Sequence, residues 1–569
     1  MGNIDHRQLD ALRSGFSELE NHYVDELIAD RLDRRAFLRR GAVIGLSASA
    51  MGAVLAACGS SGASSSSSSA PVASSSSAAG PVPKGGTLKL ASQVPATAMN
   101  PLLVDDGGGI CMLSQVGEFL ALDNSLKLAL EPMLATSWSP SAAGDVWTFQ
   151  LRDGVTFHDG RPMTADDVVY TFQQLADPKN ASNALSTFEG VLKPEGVVKA
   201  GPQAVAFHLE SPNGNFPYFV SSDNYNAIIV PKGTDFATWG RTMIATGAFK
   251  LQSYTTNQGA TFVANTSHWG GAPNLDGTAF SFYSSQQPQL LALQGGTVDV
   301  VVQFIPFGAE AILSNPSQYS IIKLRTSGHR ELSMRCDQEP FRDPRVRQGI
   351  AYSLDRPAII QALLEGYGVV ANDNPFAPVF RSSDLSIPQR TQDIPKARQL
   401  LEAAGHPSFS TVLDTEQYQE IPQLAQVIQA SARKIGVDIK LNIETQANYY
   451  GKATFGNSDW LDAPMSLVDY GGRGVPNVYL QAVLMTGGPW NAAHFSDPEY
   501  DSLVKQYIAA VDLQAQRQIA GRIETLLLEQ TPVVIPYFLD IPTASTLKVG
   551  GLLPTPLSQI FLKDAYIKS

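Results

Sequence analysis

A helix that runs directly into a strand constrains this chain more than any single motif does. Leu424, Val427, Ile428, Ser431 and Ile435 recur at helical spacing, and Gly436 stops them. Val437, Ile439, Leu441 and Ile443 then alternate at period two, which predicts a strand. The same order is repeated upstream. Asp393 reads as a helix cap, with Ala397, Leu400, Leu401 and Ala404 inward and Gly405 at the end. Asp343-Pro344 is a cap followed by proline at the first helical position, and Val346, Ile350 and Leu354 form one stripe. Helix followed by strand, repeated, predicts an α/β sheet with parallel members.

A different pattern holds nearer the N-terminus. Trp147, Phe149 and Leu151 share one side of a strand. After Arg152-Asp153-Gly154 the alternation resumes at Val155 to Phe157, which predicts a hairpin. Thr164 with Asp167 three residues on predicts a capping box, opening a helix that carries Val168, Phe172 and Leu175. Residues 87–91 alternate as a short strand after Gly85-Gly86.

Nothing before residue 84 reads as core. Residues 59–83 contain the serine runs 64–69 and 74–77, a composition that behaves as a flexible tether. Asp33-Arg34-Arg35-Ala-Phe-Leu-Arg39 resembles the twin-arginine export signal. The run 41–57 is too short and too rich in small residues for a membrane span. It ends Leu55-Ala-Ala-Cys58, which resembles a bacterial lipobox, in which the chain is cut before the cysteine and the thiol carries a lipid. Residues 1–57 are therefore expected to be a twin-arginine lipoprotein signal peptide with a long n-region, and 58–83 the tether. The protein is expected to be exported, to the periplasm or the outer face of the cytoplasmic membrane, and anchored there through lipid.

Charge narrows the partners. The 569 residues carry 41 Lys+Arg against 53 Asp+Glu, a net −12, with no basic run past residue 40. Phosphate contacts dominate nucleic-acid affinity, so nucleic acid is excluded as an expected partner. Three cysteines exclude a disulfide-built scaffold. With Cys58 lipidated, Cys111 and Cys336 are expected as two free thiols. The eight histidines are scattered, none at zinc-ligand spacing, and there is no His-Glu-x-x-His or Gly-x-Ser-x-Gly. Asp166-Asp167 sits in a first helical turn, where carboxylates suit the helix dipole. No enzyme, metal or cofactor is expected.

Several stretches jointly carry a family resemblance. They are Glu131 to Ser139, Trp147 to Arg152, Gly154 to Gly160, Thr164 to Phe172, Thr246 to Lys250, Gly296 to Val300, Asp343 to Arg356 and Lys396 to Gly405. In that order they strongly resemble the family 5 extracellular solute-binding proteins of ABC importers, the oligopeptide, dipeptide and nickel-binding group. The resemblance implies an α/β, two-lobed, periplasmic-binding-protein-like (Venus-flytrap) fold with an extra subdomain in the N-terminal lobe. It implies lobe I at 84–104, 195–305 and 530–569, the extra subdomain at 105–194, and lobe II at 306–529. It further implies a monomer that closes on a peptide or peptide-like solute and delivers it to a membrane permease.

Peptide-binding relatives hold the ligand ammonium with the Asp of a Gly-Trp-x-Ala-Asp-Tyr stretch. The matching segment here is Met465-Ser-Leu-Val-Asp469-Tyr470, with Ser466 for Trp, Val468 for Ala, and a longer loop, Gly471 to Pro476, after it. Asp469 is thus expected to bind an ammonium group or, more plainly, to cap a local turn; Tyr470 sits beside it. Arg473 meets a ligand carboxylate or faces water. Trp490-Asn491 matches a family Asn after a glycine turn, and Trp490 and Trp460 are each pocket wall or core. Cys111 and Met112 follow Asp105 to Gly109, where relatives bring a loop to the cleft; both are cleft or core. The alternatives in transport are an oligosaccharide or a nickel chelate. Outside transport they are a ligand-loaded sensory protein and, last, a secreted hydrolase.

Overall fold

The computed structural model describes residues 82–568 apart from Thr97, together with Val24. Arg34, Arg35, Cys58 and the serine-rich tether lie outside the described residues. Residues 83–383 and 389–569 form one compact body. The short segment 384–388 belongs to the other unit; within it the Asp384 carboxylate accepts from the Ser386 N–H and hydroxyl.

One twelve-stranded mixed sheet organises the body. From one edge to the other its main path runs Val437–Glu444, Phe409–Glu416, Met465–Tyr470, Tyr319–Met334, Tyr537–Thr546, Val300–Val301, Thr87–Gln93, Gly277–Tyr283, Gly259–Ala264 and Phe249–Thr255. Phe409–Glu416 is parallel to both its neighbours, and so is Thr87–Gln93. The parallel members are joined through helices: Ile421–Arg433 precedes Val437–Glu444, and Leu424, Ile428 and Ser431 on that helix are buried. Asp343 and Asp393 cap their helices through backbone N–H bonds, as their sequence positions predict.

Two strands carry the chain between two sets of cores. Tyr319–Met334 has 16 residues, roughly 50 Å at about 3.3 Å each. Its start packs in a core with Leu290, Val301 and Ala544. Its end, Leu332 and Met334, packs in another with Ile350, Leu413 and Val437. Tyr537–Thr546 runs antiparallel beside it and makes the same passage in reverse. A large core built from residues between 88 and 302 and from 549–565 completes lobe I. Residues between 371 and 538, many of them aromatic, build a further core in lobe II. The ladder between the crossing strands is irregular between Arg325 and His329. There Thr326 Oγ1 donates to the Leu539 carbonyl at 2.9 Å and accepts from the Gly328 N–H at 2.9 Å.

A separate four-stranded antiparallel sheet joins Ala135–Pro140, Val146–Leu151, Ala204–Leu209 and Leu192–Gly201. The predicted strand at 146–151 is present, but its hairpin partner differs. It pairs with 135–140 and 204–209, whereas 155–157 makes only a single bridge, Thr156 to Pro162. Both edges of 146–151 are taken by those two strands, which leaves no edge for 155–157 to pair with. The capping box at Thr164 and Asp167 opens Ala165–Ala176, with Val168, Phe172 and Leu175 buried. Cys111 and Cys336 are both free.

Candidate functional site

A cleft of about 840 Å³ opens between the lobes beside the crossing strands. Lobe I contributes mostly amides and hydroxyls, among them Ser92, Gln93, Ser285, Gln289, Gln303 and Ser558. Lobe II contributes Arg330, Tyr418, Gln419, Asp469, Tyr470 and Arg473.

Strand register sets the charged centre. Arg330 and Asp469 are direct partners in the antiparallel pair of Tyr319–Met334 with Met465–Tyr470. Opposed residues in such a pair share a face of the sheet, so both side chains reach the same wall. Arg330 is 2% exposed and is held by Glu420, at 2.9 Å from Nε and 3.1 Å from Nη2. Its Nη2 also donates to Gln419 Oε1 at 2.7 Å. Glu420 stands just before the helix Ile421–Arg433, yet its carboxylate caps nothing; it takes Arg330 and the Tyr537 hydroxyl, the latter at 2.9 Å. Gln419, at φ 46°, sits in the left-handed region that costs a non-glycine residue about 1–3 kcal/mol. The strained backbone presents its side chain to Arg330. Burial alone would lower the Arg330 pKa, but Glu420 and then Asp469 override it and hold the guanidinium charged.

Asp469 is less spent. Its Oδ2 lies 3.8 Å from Arg330 Nη1, beyond a hydrogen bond, and its side chain is 27% exposed. Oδ1 lies 3.3 Å from the Tyr450 hydroxyl. Burial, followed by the charges of Asp469 and Glu416, raises the Tyr450 phenol well above its ordinary range. Burial and Asp469 push Tyr418 up to about 12. Both tyrosines therefore stay protonated donors, and Asp469 keeps acceptor capacity toward the cleft.

Arg473 arrives by a different route. The Gly471–Gly474 loop is pinned to the irregular stretch of the long strand: Ser327 Oγ donates to the Arg473 carbonyl and accepts from its N–H, each at 2.8 Å. Gly474 N–H donates to Asp223 Oδ1 at 2.6 Å. A Cβ at Gly474 would meet the Asp223 carboxyl carbon and the Tyr218 ring at 2.8 Å, so glycine lets lobe I approach the loop here. Burial pushes Asp223 up to about 6, against the pull of the nearby Arg473. Among the described residues no carboxylate comes within 4 Å of the half-buried Arg473 guanidinium.

The remaining sequence candidates stand elsewhere. Cys111 and Met112 are fully buried in the lobe I core, and burial pushes the Cys111 thiol up to about 12. Their neighbour Ile110 reaches the cleft instead, with Asp105 and Gly107. Trp460 is buried in lobe II; Trp490 packs behind Tyr470, ring centroids 6.4 Å apart and nearly parallel. Asn491 spends its amide on the Met485 and Phe495 carbonyls and on the Phe495 N–H. Sequence reading missed Arg330, Gln419 and the glutamine-rich lobe I wall. Among the described residues no group of three or more His, Cys, Asp or Glu is placed to hold a metal ion.

Comparison with known proteins gives this cleft its context. The family model described as bacterial extracellular solute-binding proteins, family 5, matches residues 129–490. The heme-binding protein A of Haemophilus influenzae is 26% identical over 436 residues, covering 71% of this chain and 78% of its own. The dipeptide-binding protein of Escherichia coli is 25% identical over 472 residues, covering 77% and 86%. The structure of HbpA2 from Haemophilus parasuis superposes with a TM-score of 0.75 at 23% identity, over 85% of this chain and all of that one. That likeness fixes the fold as two-lobed, with the cleft between the lobes. With the model covering well over half of its length, the chain belongs to the bacterial extracellular solute-binding proteins of family 5.

Proposed function

We propose that this protein captures a peptide or peptide-like solute in the inter-lobe cleft and delivers it to an ABC import permease. The observation that carries the reading is Asp469, a carboxylate with spare acceptor capacity set in a cleft of about 840 Å³. Ligand pockets that bury a drug-sized molecule run to about 300–1,000 Å³. A carboxylate in such a place is a strong partner for an ammonium group. Arg473, with no carboxylate in ion-pair contact, is the matching anchor for a ligand carboxylate.

Function then follows from differential binding. A ligand touching both walls favours the closed arrangement by its affinity difference between closed and open. The crossing strands, irregular between Arg325 and His329, are where the lobes turn. Export through the twin-arginine signal and a lipid on Cys58 would keep the monomeric body near its permease.

The test is mass spectrometry of the ligand that co-purifies with the exported protein, checked by thermal-shift stabilisation. A peptide is the expected result. A neutral oligosaccharide is the second reading, favoured by the amide- and hydroxyl-lined wall of lobe I. A sugar, a heme or a metal chelate in the spectrum overturns the peptide reading.

A further inference from the structure

Three carboxylates gather on the lobe II wall around Arg330 and Tyr450. Glu420 takes Arg330 directly, and Asp469 stands 3.8 Å from it. The third, Glu416, ends the strand Phe409–Glu416 and is fully buried. Its Oε2 accepts from Gln446 Nε2 at 2.7 Å, and its Oε1 from the Tyr450 hydroxyl at 2.8 Å. That same hydroxyl lies 3.3 Å from Asp469 Oδ1.

One phenol carries one proton, and the shorter contact is to Glu416. Two carboxylates around one hydroxyl repel each other unless one of them is protonated. Glu416 is the one without solvent, and burial followed by the Asp469 charge pushes its carboxyl up to about 7. The other titratable groups around it do not relieve the repulsion. Tyr418 is a neutral phenol raised by the same acids, and Tyr449 donates its hydroxyl to the Leu467 carbonyl. Asp414 on the same strand and Glu444, paired with Glu416 on the next strand, are further acids, and Arg330 is occupied by Glu420.

We infer that Glu416 is a specificity-determining positioning residue: it keeps a share of a proton in the empty cleft up to neutrality and gives it up when a cationic ligand group docks on Asp469. The inference rests on the ammonium-binding reading of Asp469. The proton passes from the Glu416 carboxyl to solvent, and no bond within the ligand changes. The ligand cation then faces two carboxylates, and a neutral ligand end gains nothing from the exchange. Preference for a cationic end therefore rises as pH rises through neutrality and levels off once Glu416 is ionised in the empty protein.

Glu416→Gln copies the neutral acid and keeps an acceptor for Tyr450. Thermal unfolding of the full chain from pH 5 to 8.5 reads the proton without any ligand. The folded wild type holds a proton that the unfolded chain has already lost, so its stability falls between pH 5 and about 7 and then levels. E416Q lacks the part of the fall due to Glu416: its Tm matches wild type near pH 5 and exceeds it at pH 8. Parallel Tm curves for the two proteins overturn the inference. Calorimetry with a mixture of di-, tri- and tetra-alanine at pH 7, in two buffers of different ionisation enthalpy, reads the coupling. Wild type is expected to release about half a proton more per peptide than E416Q, the share bound at pH 7 by a group titrating near 7. Binding with equal proton release in both proteins overturns the inference and leaves peptide capture standing. If none of these peptides binds, peptide capture fails, and the two Tm curves still decide Glu416.

Discussion

The two walls of the cleft are built on different physics. Lobe II presents a charged cluster: Arg330 and Asp469 opposed by strand register, with the buried Glu420 bonded to Arg330 and the buried Glu416 behind Asp469. Lobe I presents mainly amides and hydroxyls, carried largely on loops and helix starts, with Asp105 the one acid among them. A desolvated charge is expensive to misplace, so a charged wall must be rigid and specific. A neutral amide can exchange one partner for water or another ligand at little cost. The difference assigns selection of the ligand's charged end to lobe II and adaptable contact with the rest of it to lobe I.

Substitutions can break that comparison, starting with the largest effect. Arg330→Met leaves Glu420 buried without its cation, and removal of one partner of a buried pair costs about 3–5 kcal/mol. Denaturant unfolding should register that loss; a change under 1 kcal/mol would mean the wall is not held by this pair. Asp469→Asn keeps the shape and removes the charge. It should weaken a cationic ligand by about 1.5–3 kcal/mol in calorimetry, the worth of a hydrogen bond to a charged group. Unchanged affinity would remove Asp469 from the ammonium site.

A subtler effect lies where lobe I meets the Gly471–Gly474 loop. Asp223, pushed up to about 6 by burial, keeps in the folded state a proton that the unfolded chain releases near pH 4. Stability from this group is therefore present at low pH and lost as pH rises through about 6. Asp123 lies close enough to share the effect. Asp223→Asn should flatten that part of the pH–stability curve while Asn Oδ1 still accepts from Gly474; an unaltered slope would show that Asp223 ionises freely. Smallest of all is Gln93→Ala on the lobe I wall, where affinity should move by less than about 0.5 kcal/mol. A larger loss would show that lobe I, too, selects.

Local signals carried much of the architecture. Asp343-Pro344, Asp393 and the Thr164–Asp167 box each marked a helix start because a cap is decided by residues within one turn. The strand at 146–151 was equally legible, but its partners were not, because pairing with 135–140 and 204–209 depends on where the chain returns. The site divides in the same way. Asp469 was reached through the family's segment. Arg330 was not, because an arginine in sequence is by default an exposed one. It is buried here by Glu420 and Tyr537, which lie 90 and 207 positions away. Asn491 had a motif around it, yet its amide is spent on backbone groups within six residues.

The sequence by itself determined the alternation of helices and strands, the caps that bound them and the family to which they belong, since each is written in spacing, composition or a contiguous stretch. Tertiary structure alone decided that Arg330 faces Asp469, that Glu416 stands behind it, and that one wall of the cleft carries a charged cluster while the other carries mainly amides and hydroxyls. Those facts follow from strand register and from burial among residues remote in the chain. Electrostatic energy depends on distance and desolvation, and neither is defined until the two crossing strands are in place.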